Sequence, residues 1–300
     1  MSSQNRTTVR LPLRIRVMRG GLAALDRVAP SLAAGIGSRL WFRVPPATPA
    51  ERRRARTPAG GEPFEVGADG LTVRGRAYGD PQAPVAYLVH GWGGHWQQLS
   101  AMVEPLREAG YRVVAYDAPS HGDSPGGSHG PHASSVMELA RSYALVVERH
   151  GEPALTVAHS LGSMAVLWAA RHHDTRLGAL ATVAAATEAE ELLVAFRRMT
   201  GLGARSGQRL LQRIERSIGV PIAAFHGPTL VGEVLDGAAA PLLAIHDRAD
   251  ADSPTRVSER LVASWPGGEL VLTDGLGHHR ILWAPEVVER VSAFAARQPA

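Results

Sequence analysis

Ser160 stands in the string Ala158-His159-Ser160-Leu161-Gly162, between an apolar run at Ala154–Ala158 and a segment of helical character that follows. A chain that turns from a strand directly into a helix doubles back on itself, so residues two before and two after the turning point must be small. Ala158 and Gly162 meet that need. A serine hydroxyl is a weak nucleophile until a base takes its proton. The chemistry this pattern suits is acyl transfer through a covalent intermediate. Such a string is common by chance, so the base, the acid and the oxyanion donors must come from elsewhere in the chain.

Histidine is the residue suited to act as base at neutral pH, and the chain has 13 of them. His159 adjoins Ser160, and on the turn it is expected to point away. His90 ends a strand and is expected to hold the loop that follows. His278 lies in Gly275-Leu-Gly-His-His279, directly after the apolar run Glu269–Leu272. Loops at the C-terminal edge of a parallel sheet are where such sites form. His278 is therefore preferred to His279 as base.

The base needs a carboxylate to fix its tautomer and to stabilise the imidazolium. His246-Asp247-Arg-Ala-Asp250-Ala-Asp252 offers three. Asp247 follows the strand at once and reads as a loop brace. Asp252, before Ser253-Pro254, reads as a helix N-cap. Asp250 is the choice. The oxyanion of an acyl-transfer intermediate needs preorganised N–H donors. His90-Gly91-Trp92-Gly93-Gly94 supplies a Gly-rich turn after a strand, and the expected donors are the amides of Trp92 and Leu161.

These groups must be carried by elements that end at one edge of a sheet. Strands are expected at Phe64–Val66, Leu71–Ala77, Val85–Val89, Tyr111–Tyr116, Ala154–Ala158, Leu177–Ala185, Pro241–Ile245 and Glu269–Leu272. Helices are expected at 97–109, 134–149, 162–172, 254–264 and 285–297. Strand–helix alternation of this kind implies an α/β fold, a mostly parallel sheet with helices on both faces. The alternation lapses at 187–237. There Leu192, Phe196 and Met199, then Leu210, Ile214 and Ile218, recur at helical spacing. Leu22, Leu25 and Val28, then Leu32, Ile36 and Leu40, do the same near the N-terminus, with Pro30 between them. The expected organisation is a basic helical arm and linker at 1–61, a core at 62–186 and 238–300, and a helical cap inserted at 187–237.

His-Gly-Trp-Gly-Gly after one strand, Asp117-Ala-Pro-Ser-His-Gly-Asp-Ser124 after the next, the Ser160 turn, the Asp250 loop and Gly277-His278 stand in one fixed order. In that order, over roughly residues 62–297, the chain resembles the α/β hydrolases, in particular bacterial esterase- and lysophospholipase-like proteins. The resemblance implies the α/β-hydrolase fold and a Ser160, Asp250, His278 triad, the acid lying four residues beyond the strand-ending His246. It implies hydrolysis of a carboxylic ester or thioester. Dehalogenases and epoxide hydrolases of this fold carry Asp where this chain has Ser160. The alternatives are another Ser-dependent reaction, such as perhydrolysis or C–C hydrolysis, and a binding or receptor-like homologue with little turnover.

Composition narrows the rest. The chain has no cysteine, which excludes disulfides, thiolate metal sites and a Cys nucleophile. All 32 basic residues are Arg, which excludes a Lys base. His172-His173 and His278-His279 are adjacent pairs that face different ways, so no metal is expected, and no cofactor. Residues 1–60 hold twelve Arg against Asp26 and Glu51, a net of +10, while the remaining chain is −6. Basic residues are not interleaved with base-reading elements, so nucleic acid is not an expected partner. The expected substrate is a small ester with an apolar acyl or alcohol group. The arm is expected to pack on the body or on a second subunit of a homo-oligomer, with an anionic membrane surface as the alternative. The first ten residues lack the apolar stretch of a secretory leader. The expected location is the cytoplasm, peripheral to the membrane if the arm binds lipid.

Overall fold

The computed structural model describes residues 13–48, 55–235 and 240–298. Leu11 and the Arg52–Arg54 part of the linker lie outside them. Contacts divide the chain into two units. One joins the described part of residues 1–41 to Glu191–Ile222, and the other comprises Phe42–Glu190 with Ala223–Ala300.

The second unit holds an eight-stranded sheet in the order β1-β2-β4-β3-β5-β6-β7-β8. Strands β1 (Glu62–Ala68) and β2 (Leu71–Tyr78) form a hairpin, and β2 runs antiparallel to β4 (Arg112–Asp117). The hairpin turns at Asp69-Gly70, both at positive φ (56° and 78°), the geometry whose twist matches paired strands. From β4 onward every pairing is parallel, through β3 (Val85–Val89), β5 (Pro153–His159), β6 (Ala179–Val183), β7 (Leu242–Asp247) and β8 (Glu269–Thr273). The central strands are apolar at nearly every position because helices cover both faces; β3 and β6 are buried throughout.

In chain order the helices are α1 (Leu13–Val28), α2 (Pro30–Phe42), α3 (Val103–Glu108), α4 (Val136–His150), α5 (Leu161–His172), α6 (Ala189–Thr200), α7 (Ala204–Ile218), α8 (Gly227–Leu235), α9 (Arg256–Ala263), α10 (Gly277–Arg280) and α11 (Pro285–Ala296). Ser135 caps α4, its hydroxyl accepting from the Glu138 amide, while the Glu138 carboxylate accepts from Ser128 and from the Ser134 hydroxyl. Two expectations are corrected. The segment expected as one helix at 97–109 is a 3-10 turn at Trp96–Met102 followed by the short α3. Pro105 lacks the N–H that a continuous helix would need there. Asp252 is not an N-cap, because α9 starts at Arg256 with Thr255 before it.

The helical unit has its own interior. Trp41 meets Phe196 edge-on at 5.2 Å. The Asp26 carboxylate accepts the amide of Ser206 in the first turn of α7 (3.0 Å), and this contact with Ser206 holds it below its ordinary pKa. Leu202, Leu210 and Ile214 are buried. Of the segment expected as a cap, 191–222 thus belongs with the arm helices, while α8 packs on α5 and α9 of the sheet unit.

Candidate active site

Ser160 sits between β5 and α5 at φ 51° and ψ −123°, a conformation that costs a non-glycine residue of order 1–3 kcal/mol. Its backbone is tied on both sides. Ser160 N–H donates to the Val183 carbonyl (3.1 Å), and its own carbonyl accepts from Ser163 (3.0 Å) and Ala186 (3.2 Å). The turn packs against the end of β3. A Cβ on Gly91 would lie 2.7 Å from Ser160 Cβ, and one on Gly162 would lie 2.6 Å from the His90 carbonyl oxygen. Two glycines from separate motifs are therefore required by one close approach. Gly162→Ala would meet backbone that cannot swing aside, and it is expected to cost about 1–3 kcal/mol. Urea unfolding of that variant beside the parent checks this; equal midpoints would count against it.

The structure brings the three expected residues together. His278 Nε2 lies 3.0 Å from Ser160 Oγ, and His278 Nδ1 lies 2.7 Å from Asp250 Oδ2. With Nδ1–H donating to the carboxylate, Nε2 is left to accept the hydroxyl proton. The Asp250 side chain is fully buried. Burial raises its pKa, but His246, His278 and the Ser253 amide outweigh that and hold it well below the carboxylate range. Asp250 Oδ1 accepts the amides of Asp252 (2.8 Å) and Ser253 (2.9 Å). His279 is half exposed and stands 3.9 Å from Asp252, away from this chain of bonds. Asp247 braces the loops: one oxygen accepts from Ala249 and the other from Leu276 and the Thr273 hydroxyl.

His90 donates from Nδ1 to the Gly91 carbonyl (2.7 Å) and accepts the Ala118 amide at Nε2 (3.0 Å). Both ring atoms are thereby fixed in the neutral form, and the turn at Gly91–Gly94 is held to the start of the Asp117–Ser124 loop. The Trp92 amide makes no hydrogen bond among the described residues, and Leu161 opens α5, where the first amides have no partner inside the helix. Gly94 donates to the Gly91 carbonyl, closing the turn (3.1 Å).

Sequence reasoning missed three supports. His159 does not point away: its Nε2–H donates to the carbonyl of His278 (3.0 Å), and the two rings lie 4.8 Å apart. His246, buried on β7, stands 3.4 Å from Asp250 and is gripped by Ser253 and Ser258. Asp117 is buried with one oxygen on the Trp96 amide and the other on Asp123. Only its place in a strand-ending Asp-x-x-x-His-Gly string marks it. Asp250, Asp252 and His278 also present ligand atoms within 4.8 Å of one another, but Asp250 and His278 already bond to each other.

The buried histidines set a pH dependence. Burial lowers His90 to about 3 and His121 to about 4, and it drives His159 down as well. Below the unfolded value of ~6.5 the unfolded chain carries protons that the folded one refuses, so stability falls as pH drops toward these values. Each such histidine contributes about 1.4 kcal/mol per pH unit. Asp117 acts in the opposite sense, since burial pushes it up to about 7 and the folded form gains by protonation below that. Three groups against one make acid the destabilising direction. The urea midpoint is expected to fall steadily from pH 6.5 to below pH 5, and a flat profile would contradict these burials.

Residues 84–213 match the family model described as alpha/beta hydrolase fold. The chain is an α/β-hydrolase-fold protein. A putative lipase from Acinetobacter baumannii AYE shares the fold of this hydrolase-fold chain at a TM-score of 0.58 and 19% identity, over 82% of this chain and 93% of that one. The Pimeloyl-[acyl-carrier protein] methyl ester esterase of Neisseria meningitidis is 25% identical over 70% of this chain and 90% of its own length. Epoxide hydrolase A of Mycobacterium tuberculosis is 31% identical over 129 residues, 41% of this chain. The chain spans less than two fifths of the length of two curated relatives, 39% of that epoxide hydrolase and 36% of another. No described helix is long and apolar enough to cross a membrane.

Proposed function

We propose that this chain hydrolyses carboxylic esters through an acyl-enzyme on Ser160. The observation that carries the reading is the continuous chain of bonds from Ser160 Oγ to His278 Nε2 (3.0 Å) and from His278 Nδ1 to Asp250 (2.7 Å). Ser160 Oγ attacks the carbonyl carbon while His278 Nε2 takes its proton. The carbonyl oxygen becomes an oxyanion facing the amides of Trp92 and Leu161, each such donor being worth about 2.7–4 kcal/mol in comparable sites. The tetrahedral centre collapses, and the leaving alcohol takes the proton from Nε2. Water then repeats the sequence on the acyl-enzyme and releases the acid. Asp250, held as a carboxylate, keeps His278 in the tautomer that can accept.

The methyl ester esterase relative supports an ester as substrate, and Ser160 in the nucleophile position speaks against reading the epoxide hydrolase likeness as shared chemistry. The test is labelling by a fluorophosphonate probe, followed by a series of p-nitrophenyl esters of rising chain length beside acyl-thioesters. Rapid labelling at Ser160 with ester turnover is the expected result. A chain that neither labels nor turns over any ester is a binding protein on this fold, and thioester preference would shift the substrate class.

A further inference from the structure

Helix α1 has two apolar faces, and only one is covered. At 100° per residue, Ile15, Met18, Leu22 and Leu25 fall on one side, where they are wholly or partly buried. Leu13, Val17, Ala24 and Val28 fall within an arc of about 60° on the opposite side. That side is exposed: Leu13 by 72%, Val17 by 66% and Val28 by 81%. Gly20 and Gly21 lie on the same face and add no polar group to it. Leu32, Val194 and Met199 are the other large apolar side chains that stand exposed among the described residues, and all six belong to the helical unit. Apolar groups gathered on one unit in this way mark a contact surface.

Charge says what kind. Residues 13–41 and 191–222 contain eleven Arg against Asp26, Glu191 and Glu215. Asp26 is engaged by the Ser206 amide and Glu215 by the Ile222 amide. Arg16, Arg19 and Arg27 are exposed on α1, and Arg198 on α6. Neither Arg19 nor Arg198 has a carboxylate partner among the described residues. Arg19, Arg197 and Arg198 line a recess of about 370 Å³ between α1 and α6, with Val194, Gly201 and Leu202. The Arg197 Nε–H is buried there without an acceptor among the described residues.

We propose that the helical unit docks on an anionic lipid bilayer, with the Leu13, Val17, Val28 face entering the headgroup boundary and the arginines meeting lipid phosphates. Arg16 and Arg27 flank the exposed face of α1, and an amphipathic helix with Arg beside its apolar face binds such surfaces by both terms together. A second copy of the chain would bring the same excess of positive charge against this one, so a two-fold contact through the face works against itself. Nucleic acid suits the arginines but not Leu13, Val17 and Val28. The proposal is independent of the reaction assigned to Ser160.

Co-sedimentation of the full chain with vesicles tests it. Phosphatidylcholine vesicles with and without phosphatidylglycerol are compared at low and raised salt. Binding is expected only where phosphatidylglycerol is present, and it should weaken as salt screens the charges. Arg16→Gln, Arg27→Gln and Arg198→Gln combined should lower the partition coefficient on the order of a hundredfold. Lys at the same three positions should keep it. Val17→Ser with Val28→Ser should release what remains bound at raised salt. All five positions are exposed, and far-UV circular dichroism of each variant checks that the fold persists. The proposal is overturned by any of three results: no binding to phosphatidylglycerol vesicles, equal binding by the Gln variant, or a solution dimer that Val17→Ser dissolves.

Discussion

Ser160→Ala is expected to lower kcat for a p-nitrophenyl ester on the order of 10⁶-fold while leaving the fold intact. The size follows from the role proposed for the hydroxyl. No other nucleophile stands beside His278 among the described residues, and what survives removal of such a serine is oxyanion stabilisation and binding, worth about 10³–10⁴ over water. The fold should persist because, among the described residues, Oγ bonds only to His278. The bonds that hold the turn are backbone ones, to Val183, Ser163 and Ala186, and alanine keeps them. A continuous assay with circular dichroism on the same sample reads both. Near-parental turnover in the folded variant would remove Ser160 from the mechanism.

Asp250→Asn and Asp247→Asn should part company. The amide in Asp250→Asn would keep an oxygen for the Asp252 and Ser253 amides but set an NH₂ against His278 Nδ1. The ring must then carry its proton on Nε2, where it cannot accept from Ser160, and the expected loss is about 10⁴-fold in kcat. In Asp247→Asn the new NH₂ would face the Leu276 amide, leaving a buried donor unpaired at a cost of about 1–3 kcal/mol in stability. The kcat of that variant should fall far less, through loosening of the loop that leads to His278. The two variants are compared by kcat and by urea midpoint. A larger kcat loss at Asp247 would transfer the acid's role to it.

The strands were legible because the central ones are short apolar runs bounded by Gly, Pro and Asp; their order in the sheet, with β4 between β2 and β3, was not, because chain order alone does not encode the crossover. Ser160, Asp250 and His278 were legible because each follows such a run, where a parallel sheet collects its loops. The supports were not. Judged from its neighbour in sequence, His159 should leave the site, as if the turn simply sent alternate side chains apart. The ring instead reaches a carbonyl 119 residues on, and nothing in local spacing encodes that. His246 and Asp250 meet because the loop after β7 folds back over its own strand end. Arg260 and Glu188, a bidentate ion pair between α9 and the start of α6, likewise join residues 72 apart. The helical periodicity of 13–41 and 191–222 was plain in both segments, but periodicity carries no information about which amphipathic faces meet.

The two-part helical unit bears on how the chain is made. Its halves are separated by the strands β1 to β6, so α1 and α2 leave the ribosome roughly ten to thirty seconds before Ile222 is synthesised at about 5–20 residues per second. Throughout that interval Leu22, Trp41 and their neighbours have no α6 or α7 to cover them. A segment that emerges early is thus among the last to find its tertiary partners. A pause or truncation of translation anywhere inside the sheet would leave a basic, apolar-faced helix pair waiting, the kind of segment that chaperones and membranes capture.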